Sequence, residues 1–330
     1  MKKNLIIAFS AMLFACAWLT GCKKEVPQTI PADNADEMTG FKVGNNSSCK
    51  LTHLNWVNYY IWDFHYNEKG LADEWKVDLG GGFIRNFKMK YDKFDKLIEA
   101  PGYDASDNLT FTNFFTYSGN RLISQKWSDL FSGGEILFSY NQKGQIERED
   151  DNINDIHVFL TYDNMGNATR SDIYIGSDIY YSDIYTFAND VRDPLLTVYG
   201  VDYPFPNLGA GFFNKMWFTS NLTIIYDSEG NEYVINDYDV SKTVFSTGPQ
   251  NFPISVNYYD KVLESSLDFV FGYNCNGNNN FANQVSPNSN IGINRTIRRL
   301  APMLLMGSAK SIKERIAEWV KQIKHKQQGN

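Results

Sequence analysis

The chain has 330 residues, with 31 Lys and Arg against 38 Asp and Glu, and a formal net charge of -7. Hydrophobic residues make up 43% of the sequence and charged residues only 21%, which excludes a disordered chain and a coiled coil. The mild acidity argues against a nucleic-acid-binding protein, because such a protein needs a basic surface. The length allows one large domain or two ordinary ones.

Residues 1–21 read as a secretory signal peptide. Lys2 and Lys3 form a short positive start, and an apolar run follows from Leu5 to Trp18. The run is too short for a membrane-spanning helix and is typical of a signal. It ends in a short motif of four residues, Leu19, Thr20, Gly21 and Cys22.

This motif resembles the lipobox of bacterial lipoproteins. The resemblance implies cleavage before Cys22 and lipidation of that cysteine, so that the membrane is a partner of the chain. Two lysines follow the cysteine and no acidic run is present, which indicates an outer-membrane lipoprotein, with the periplasmic face favoured over the cell surface. The alternative is a free cysteine in an ordinary signal peptide.

Residues 22–47 then form the lipid anchor and a flexible tether, with two prolines, several acids and no hydrophobic period. With Cys16 in the leader and Cys22 acylated, Cys49 and Cys275 remain as an even pair in an oxidising compartment. We predict that they form a disulfide; the alternative is two buried thiols that never meet.

A repeating unit fills residues 48–275, the predicted β-domain. A tyrosine is followed by Asn, Asp or Ser, and a Gly or a second turn residue comes shortly after. The copies begin at Tyr66, Tyr91, Tyr117, Tyr140, Tyr162 and Tyr226. The first five tyrosines are 25, 26, 23 and 22 residues apart, which fits two strands and two turns per unit. Asp or Asn opens a turn and Gly supplies the positive φ, so each unit is predicted to be a β-hairpin with one buried face.

The pattern Tyr-Asp-x-x-Gly-x-Leu resembles the YD (Rhs-type) repeat. Together with the lipobox, it resembles uncharacterised envelope lipoproteins described as having a porin-like fold. The resemblance implies a large meandering antiparallel sheet, curled or closed into a barrel-like shape, and brings no catalytic residues. We therefore predict an all-β fold of repeated hairpins with a C-terminal amphipathic helix. An integral membrane barrel is the alternative, opposed by the lipobox and by strand lysines such as Lys88 and Lys90.

The middle of the chain contains three copies of Ser-Asp-Ile-Tyr around a turn predicted near Gly176. Their acids, Asp172, Asp178 and Asp183, either converge on a cation or a sugar or are the solvated acids of a β-ribbon. A long aromatic loop follows, and its Tyr199, Tyr203 and Phe205 either line a ligand cleft or plug the sheet. The acidic run from Glu147 to Asp155 is predicted to be a solvated loop.

Residues 276–330 are predicted to be a basic linker and a helical tail. Residues 281–330 contain nine Lys or Arg against two Glu, and Ile312, Ile316, Trp319, Val320 and Ile323 have helical spacing. The tail either packs on the sheet or is a flexible arm; the alternatives are a helix on a membrane surface and docking by charge attraction on the acidic β-domain.

No phosphate loop, nucleophile elbow or metal-ligand spacing occurs, and we predict no cofactor, no metal and no catalytic residue. The sequence therefore favours a lipid-anchored envelope protein that binds or scaffolds a glycan or another envelope protein through its curled sheet. The alternative is a glycan hydrolase that uses an unassigned pair of carboxylates.

Overall fold

Nineteen antiparallel strands form one sheet in the described part of the chain. The computed structural model describes residues 49–57, 60–78, 84–129, 133–195, 214–262, 264–275 and 278–281, together with Val198 and six residues between 313 and 321. The strands of the first half are β1 (Cys49–Trp56), β2 (Tyr60–Tyr66), β3 (Ala72–Asp78), β4 (Ile84–Lys88), β5 (Lys90–Tyr91), β6 (Leu97–Tyr103), β7 (Leu109–Ser118), β8 (Arg121–Asp129), β9 (Gly133–Tyr140) and β10 (Ile146–Asp151). The others are β11 (Ile156–Tyr162), β12 (Ala168–Ile175), β13 (Asp178–Arg192), β14 (Met216–Tyr226), β15 (Glu232–Asp237), β16 (Val244–Thr247), β17 (Pro253–Asp260), β18 (Ser265–Cys275) and β19 (Asn278–Phe281). Short 3-10 turns occupy Val240–Lys242 and Pro249–Asn251.

The sheet is a meander that curls back on itself. Strands pair with their neighbours in sequence from β1 to β15, except that β4 and β5 both pair with β6. At the other side β18 pairs with both β17 and β1. Between β15 and β17 the described ladder is the single bridge of Tyr238 with Asp260, so the sheet is curled but no continuous ladder closes it. The predicted all-β meander of hairpins is confirmed.

Consecutive turns lie at opposite ends of this sheet. We call the end where Cys49 lies the entry end; it has the turns 67–71, 92–96, 119–120, 141–145 and 163–167. The opposite, far end has the turns 104–108, 152–155, 176–177, 227–231 and 261–264. The segment that precedes the described residues therefore joins the sheet at the entry end.

The inward face holds the main core. Ile136 and Phe138 are buried and alternate with exposed positions along β9, as the sequence pattern predicts. On strands β1–β4, β17 and β18 this face is filled with aromatic rings. Trp75 packs edge-on against Trp62, with 5.2 Å between ring centroids, and stacks on Phe87 at 4.7 Å.

The repeated turns are built on one hydrogen-bond pattern. In the turn at 163–167, Oδ1 of Asp163 accepts hydrogen bonds from the backbone N–H groups of Met165 and Asn167, both at 2.8 Å. Gly166 adopts the positive φ of 88° that closes the turn. The same two bonds recur at five further positions: Asn67, Asp92, Asp104, Asn141 and Asp227.

Two of the repeat predictions need correction. Ser118 does not open such a turn, because it is the last residue of β7 and pairs with Arg121 on β8 across a two-residue turn. Conversely, Tyr103 and Asp104 form a copy that the sequence pattern missed, with Asp107 in place of Gly at a φ of 60°.

The repeat tyrosines close the open ends of hairpins. The hydroxyl of Tyr140, at the end of β9, donates to the backbone oxygen of Leu122 on β8 at 2.7 Å. The same bond joins three further pairs: Tyr66 to Leu51, Tyr91 to Ala72, and Tyr162 to Ile146. The acceptor residue is buried in every pair. These four tyrosines therefore have a structural role, since each one pairs the backbone oxygen of a buried residue.

The tail is described at only six positions, 313–314, 317–318 and 320–321, which have helical backbone but are too few to give the predicted helix its bounds. Val320 is buried in a small cluster that includes Ile175, Tyr181 and Ile225 near the far end. Lys313 Nζ lies 5.1 Å from the ring centroid of Tyr180. These contacts agree with packing of the tail on the sheet. Within the described residues, no helix has the length and apolarity needed to cross a bilayer.

Candidate functional site

Polar side chains interrupt the inward face on strands β12, β13 and β14. We call six of them the inner polar cluster: Ser171, Tyr181, Asp183, Tyr185, Asn221 and Thr223. These side chains lie on the same inward face of the sheet as the aromatic core, where apolar residues would be expected. A polar group placed there needs partners, because burial removes its hydration.

Strand register brings the cluster together. Asp183 on β13 is directly opposite Ser171 on β12 and Thr223 on β14. The next inward position, Tyr185, is opposite Asn221. Since side chains alternate along a strand, residues 181, 183 and 185 share one face, and Tyr181 belongs to an inward apolar cluster. The carboxyl group therefore points inward.

The Asp183 carboxyl group is buried and strongly hydrogen-bonded. Its Oδ1 accepts hydrogen bonds from Thr223 Oγ1 at 2.6 Å and from Asn221 Nδ2 at 3.1 Å. Burial raises the pKa of Asp183, while hydrogen bonds from these two residues, Tyr181 and Tyr185 oppose the rise. Burial, together with the nearby Asp183 charge, also raises the pKa of both tyrosines well above the ordinary value.

Ser171 is the member of the cluster with unused hydrogen-bonding capacity. Its side chain is 1% exposed, and its hydroxyl has no hydrogen-bond partner among the described residues. It is directly opposite Asp183, on the inward face. A buried hydroxyl in this state costs free energy, so the position is suited to a polar group that arrives from outside.

A second inward carboxyl group lies on β10. Glu149 is paired across the sheet with Phe138 on one side and Val158 on the other, both of which contact the main core. It makes no hydrogen bond or ion pair with the described residues. Burial raises its pKa to about 7. The acidic run is thus not the solvated loop that the sequence predicts, because residues 146–151 form a strand and only 152–155 are a turn.

The three predicted acids of the Ser-Asp-Ile-Tyr copies do not converge. The hairpin turns at Gly176 as predicted, but Asp172 is opposite Ser182 and therefore faces outward, where Arg170 Nε donates to it at 2.8 Å. Asp178 is exposed beside the turn, and only Asp183 faces inward. No group of three or more His, Cys, Asp or Glu suited to a metal ion occurs in the described part of the chain. Asp183 is also not the solvated acid of the alternative prediction, because it is 7% exposed.

The disulfide prediction is confirmed. Cys49 and Cys275 are bonded and form the first pair of the β1–β18 ladder, at the entry end. The lipobox residues, Cys22 and the aromatic loop residues Tyr199, Tyr203 and Phe205 lie outside the described residues, so these predictions stand untested.

Sequence reasoning missed most of this site. Ser171, Tyr181 and Tyr185 lie in the repeated segment but carry no motif of their own, and Asn221 and Thr223 are about 40 residues further along. The one available signal was alternation, which places Tyr181, Asp183 and Tyr185 on the same face of a strand. Glu149 carried no such signal, because a bulge in β10 between Ile146 and Arg148 shifts the alternation.

No protein-family model matches the chain, and no curated protein matches its sequence. Among solved structures, it is similar to a porin-like protein from Bacteroides uniformis ATCC 8492, at 10% identity and a TM-score of 0.40, over 68% of this chain and 94% of the other. A porin-like protein from Bacteroides vulgatus ATCC 8482 is similar at 9% identity and a TM-score of 0.32, over 67% and 97% of the two chains. The complex TcdB2-TccC3 without its hypervariable C-terminal region is similar at 11% identity and a TM-score of 0.21, over 63% of this chain and 8% of that one. These similarities have low identity and concern structure alone.

Proposed function

We propose that this protein is a lipid-anchored protein of the cell envelope that binds a hydroxyl-bearing ligand, such as a glycan, on the inward face of its curled sheet. Cys22 carries the lipid, which holds the protein on the periplasmic face of the outer membrane. The observation that supports binding is the inner polar cluster, where the buried hydroxyl of Ser171, beside the Asp183 carboxyl group, has no hydrogen-bond partner in the described part of the chain.

The chemistry of the cluster suits a sugar. A carboxylate accepts hydrogen bonds from sugar hydroxyls, whereas amide and hydroxyl groups can both donate to them and accept from them. Tyrosine rings offer apolar faces beside these groups. Tyr181 and Tyr185 supply such rings on the same face as Asp183. A ligand hydroxyl that bonds to Ser171 would satisfy a group that the described residues leave unsatisfied, which favours binding.

The test is a binding titration with soluble peptidoglycan fragments as the probe. We expect heat of binding with the unaltered protein, and Asp183→Asn to weaken the affinity about tenfold, the effect of one charged hydrogen bond. Asp178→Asn is the matched control, because Asp178 is an exposed acid on the same strand. An equal effect of both substitutions on the affinity would contradict the proposal. The absence of binding to the unaltered protein would also contradict it.

Glu149 supports the second candidate, a glycan hydrolase. A carboxyl group with a pKa of about 7 keeps a substantial protonated fraction near neutral pH, which is the property that a general acid needs. The same peptidoglycan fragments, followed by mass spectrometry, test this candidate. Cleavage that is lost in Glu149→Gln would favour the hydrolase over a binding protein.

A further inference from the structure

The same turn occurs at both ends of the sheet, but the chemistry of its tip differs. The tip is the second residue after the Asn or Asp that opens the turn. In every copy its backbone N–H donates to that side chain, for example from Phe94 to Asp92 at 2.8 Å and from Glu229 to Asp227 at 3.0 Å. Because the backbone alone makes this bond, the turn places no demand on the tip side chain. Its identity therefore needs another explanation.

The tips at the entry end are cationic or apolar. They are Lys69, Phe94, Lys143 and Met165 in chain order. Phe94 is 69% exposed and Met165 is 49% exposed. The exposed ring of Phe94, with Lys93 Nζ at 4.9 Å from its centroid, does not contribute to the core.

The tips of the same turn at the far end are polar or acidic. They are Ser106 and Glu229, and further acids surround them in these turns, namely Asp104, Asp107 and Asp227. Entry-end turns also contain acids, and Lys69 pairs with Asp95 at 2.7 Å, but such an exposed pair is weak. Lys143 makes no ion pair with the described residues. The tips of this turn are thus cationic or apolar at the entry end, and neutral polar or acidic at the far end.

The entry end is also where the preceding 48 residues join the sheet, at Cys49. Lysines with apolar or aromatic neighbours are the side chains that settle at a lipid interface, where rings enter the headgroup region and ammonium groups meet phosphates. An acidic far end would be repelled by the same surface.

We propose that the entry-end turn tips are a contact surface for a bilayer with anionic headgroups, in which Phe94 and Met165 enter the interface and the tip lysines contact the lipid phosphates. The proposal rests on the proposed membrane anchoring for its orientation, since the anchor would bring this end to the bilayer. This contact surface gives the folded sheet a weak affinity for the bilayer that does not depend on the lipid on Cys22.

The experiment uses residues 22–330 with Cys22→Ser, which lack the apolar run Leu5–Trp18 and cannot be lipidated, and measures their sedimentation with vesicles. Vesicles of phosphatidylglycerol and phosphatidylethanolamine are compared with vesicles of phosphatidylcholine. We expect binding to the anionic vesicles that falls with added salt, and a decrease of about tenfold in F94S/M165S, which removes both apolar tips.

The matched control is I153S/V262S at the far end, where Ile153 is 67% and Val262 is 44% exposed. This variant should bind as the starting protein does, and circular dichroism should show all variants folded. Equal loss in both double variants, undiminished binding of F94S/M165S, or no binding to anionic vesicles would overturn the proposal. Binding that survives F94S/M165S would place the membrane affinity elsewhere, such as in the basic tail. Mass spectrometry of Cys22 tests the lipid anchor separately, so the two ideas fail independently.

Discussion

The hydroxyl of Tyr140 donates to the backbone oxygen of Leu122 at 2.7 Å, across the open end of the β8–β9 hairpin. Arg121 lies over the same ring, with its guanidinium carbon 5.4 Å from the centroid. Lys50 and Lys96 lie over Tyr66 and Tyr117 in the same way. The open end of the β8–β9 hairpin is therefore held by a tyrosine hydroxyl on a buried carbonyl and by a cation on the tyrosine ring.

Tyr140→Phe should lower the free energy of unfolding by about 1–2 kcal/mol, because the buried carbonyl of Leu122 loses its partner. Urea unfolding followed by fluorescence measures the change. Tyr174→Phe is the control, since the hydroxyl of Tyr174 makes no hydrogen bond with the described residues. Equal effects of the two substitutions would show that the hydrogen bond from Tyr140 to Leu122 adds nothing to stability.

Reduction of the Cys49–Cys275 disulfide should lower the free energy of unfolding by up to about 5 kcal/mol in the chain-entropy model, because the bond closes a loop of 226 residues. The same change is expected for Cys49→Ser with Cys275→Ser. The measurement is urea unfolding with and without reductant. Labelling of both thiols in the unreduced, unfolded protein would contradict the bond.

Substitutions at the positive-φ position of the turns should have opposite signs. Gly166→Ala should destabilise the protein by about 1 kcal/mol, because alanine is strained at a φ of 88°. Asp107→Gly should stabilise it by a similar or smaller amount, because Asp107 holds a φ of 60° that glycine adopts freely. Thermal unfolding of both variants checks the prediction, and the same sign in both would contradict it.

Glu149→Gln should make stability less dependent on pH. Burial raises the pKa of Glu149 from 4.5 to about 7, so the folded chain binds this proton more tightly than the unfolded chain. The contribution of this proton to the free energy of unfolding is fully present below pH 4.5 and is lost as the pH rises to about 7. A shift of this size corresponds to roughly 3 kcal/mol.

Urea unfolding of both proteins at about pH 5 and about pH 8 isolates this group, because all other groups titrate in both. The unaltered protein should lose more stability between the two pH values than Glu149→Gln does. Parallel pH profiles would show that the pKa of Glu149 is close to that of an ordinary glutamate.

Local chemistry explains which features the sequence predicts well. In the turn at 163–167, Asp163 and Gly166 are three residues apart, and their hydrogen bonds and φ depend on that segment alone. The pairing of Cys49 with Cys275 was predictable by another route, since only two cysteines remained available. The Tyr103 copy has Asp107 at the positive-φ position, where most copies have a glycine, and this weakens its sequence pattern.

The position of Asp183 shows what such reasoning lacks. Asp172 and Asp183 belong to identical tetrapeptides, yet one faces outward and the other inward. A bulge between Ile173 and Tyr174 shifts the register of β12 against β13, and a shift of one residue reverses the face of every side chain beyond it. Identical local sequences therefore acquire different surroundings.

The sequence by itself determined the all-β class, most of the repeated turns and the disulfide, because each depends on residues close in sequence or on a choice among very few partners. Only the tertiary structure decided that Asp183 meets Thr223, that Glu149 turns inward, and that the tips at one end differ in chemistry from those at the other. Those relations depend on register across several strands and on the curl that joins β1 to β18, and no single segment of the chain encodes them.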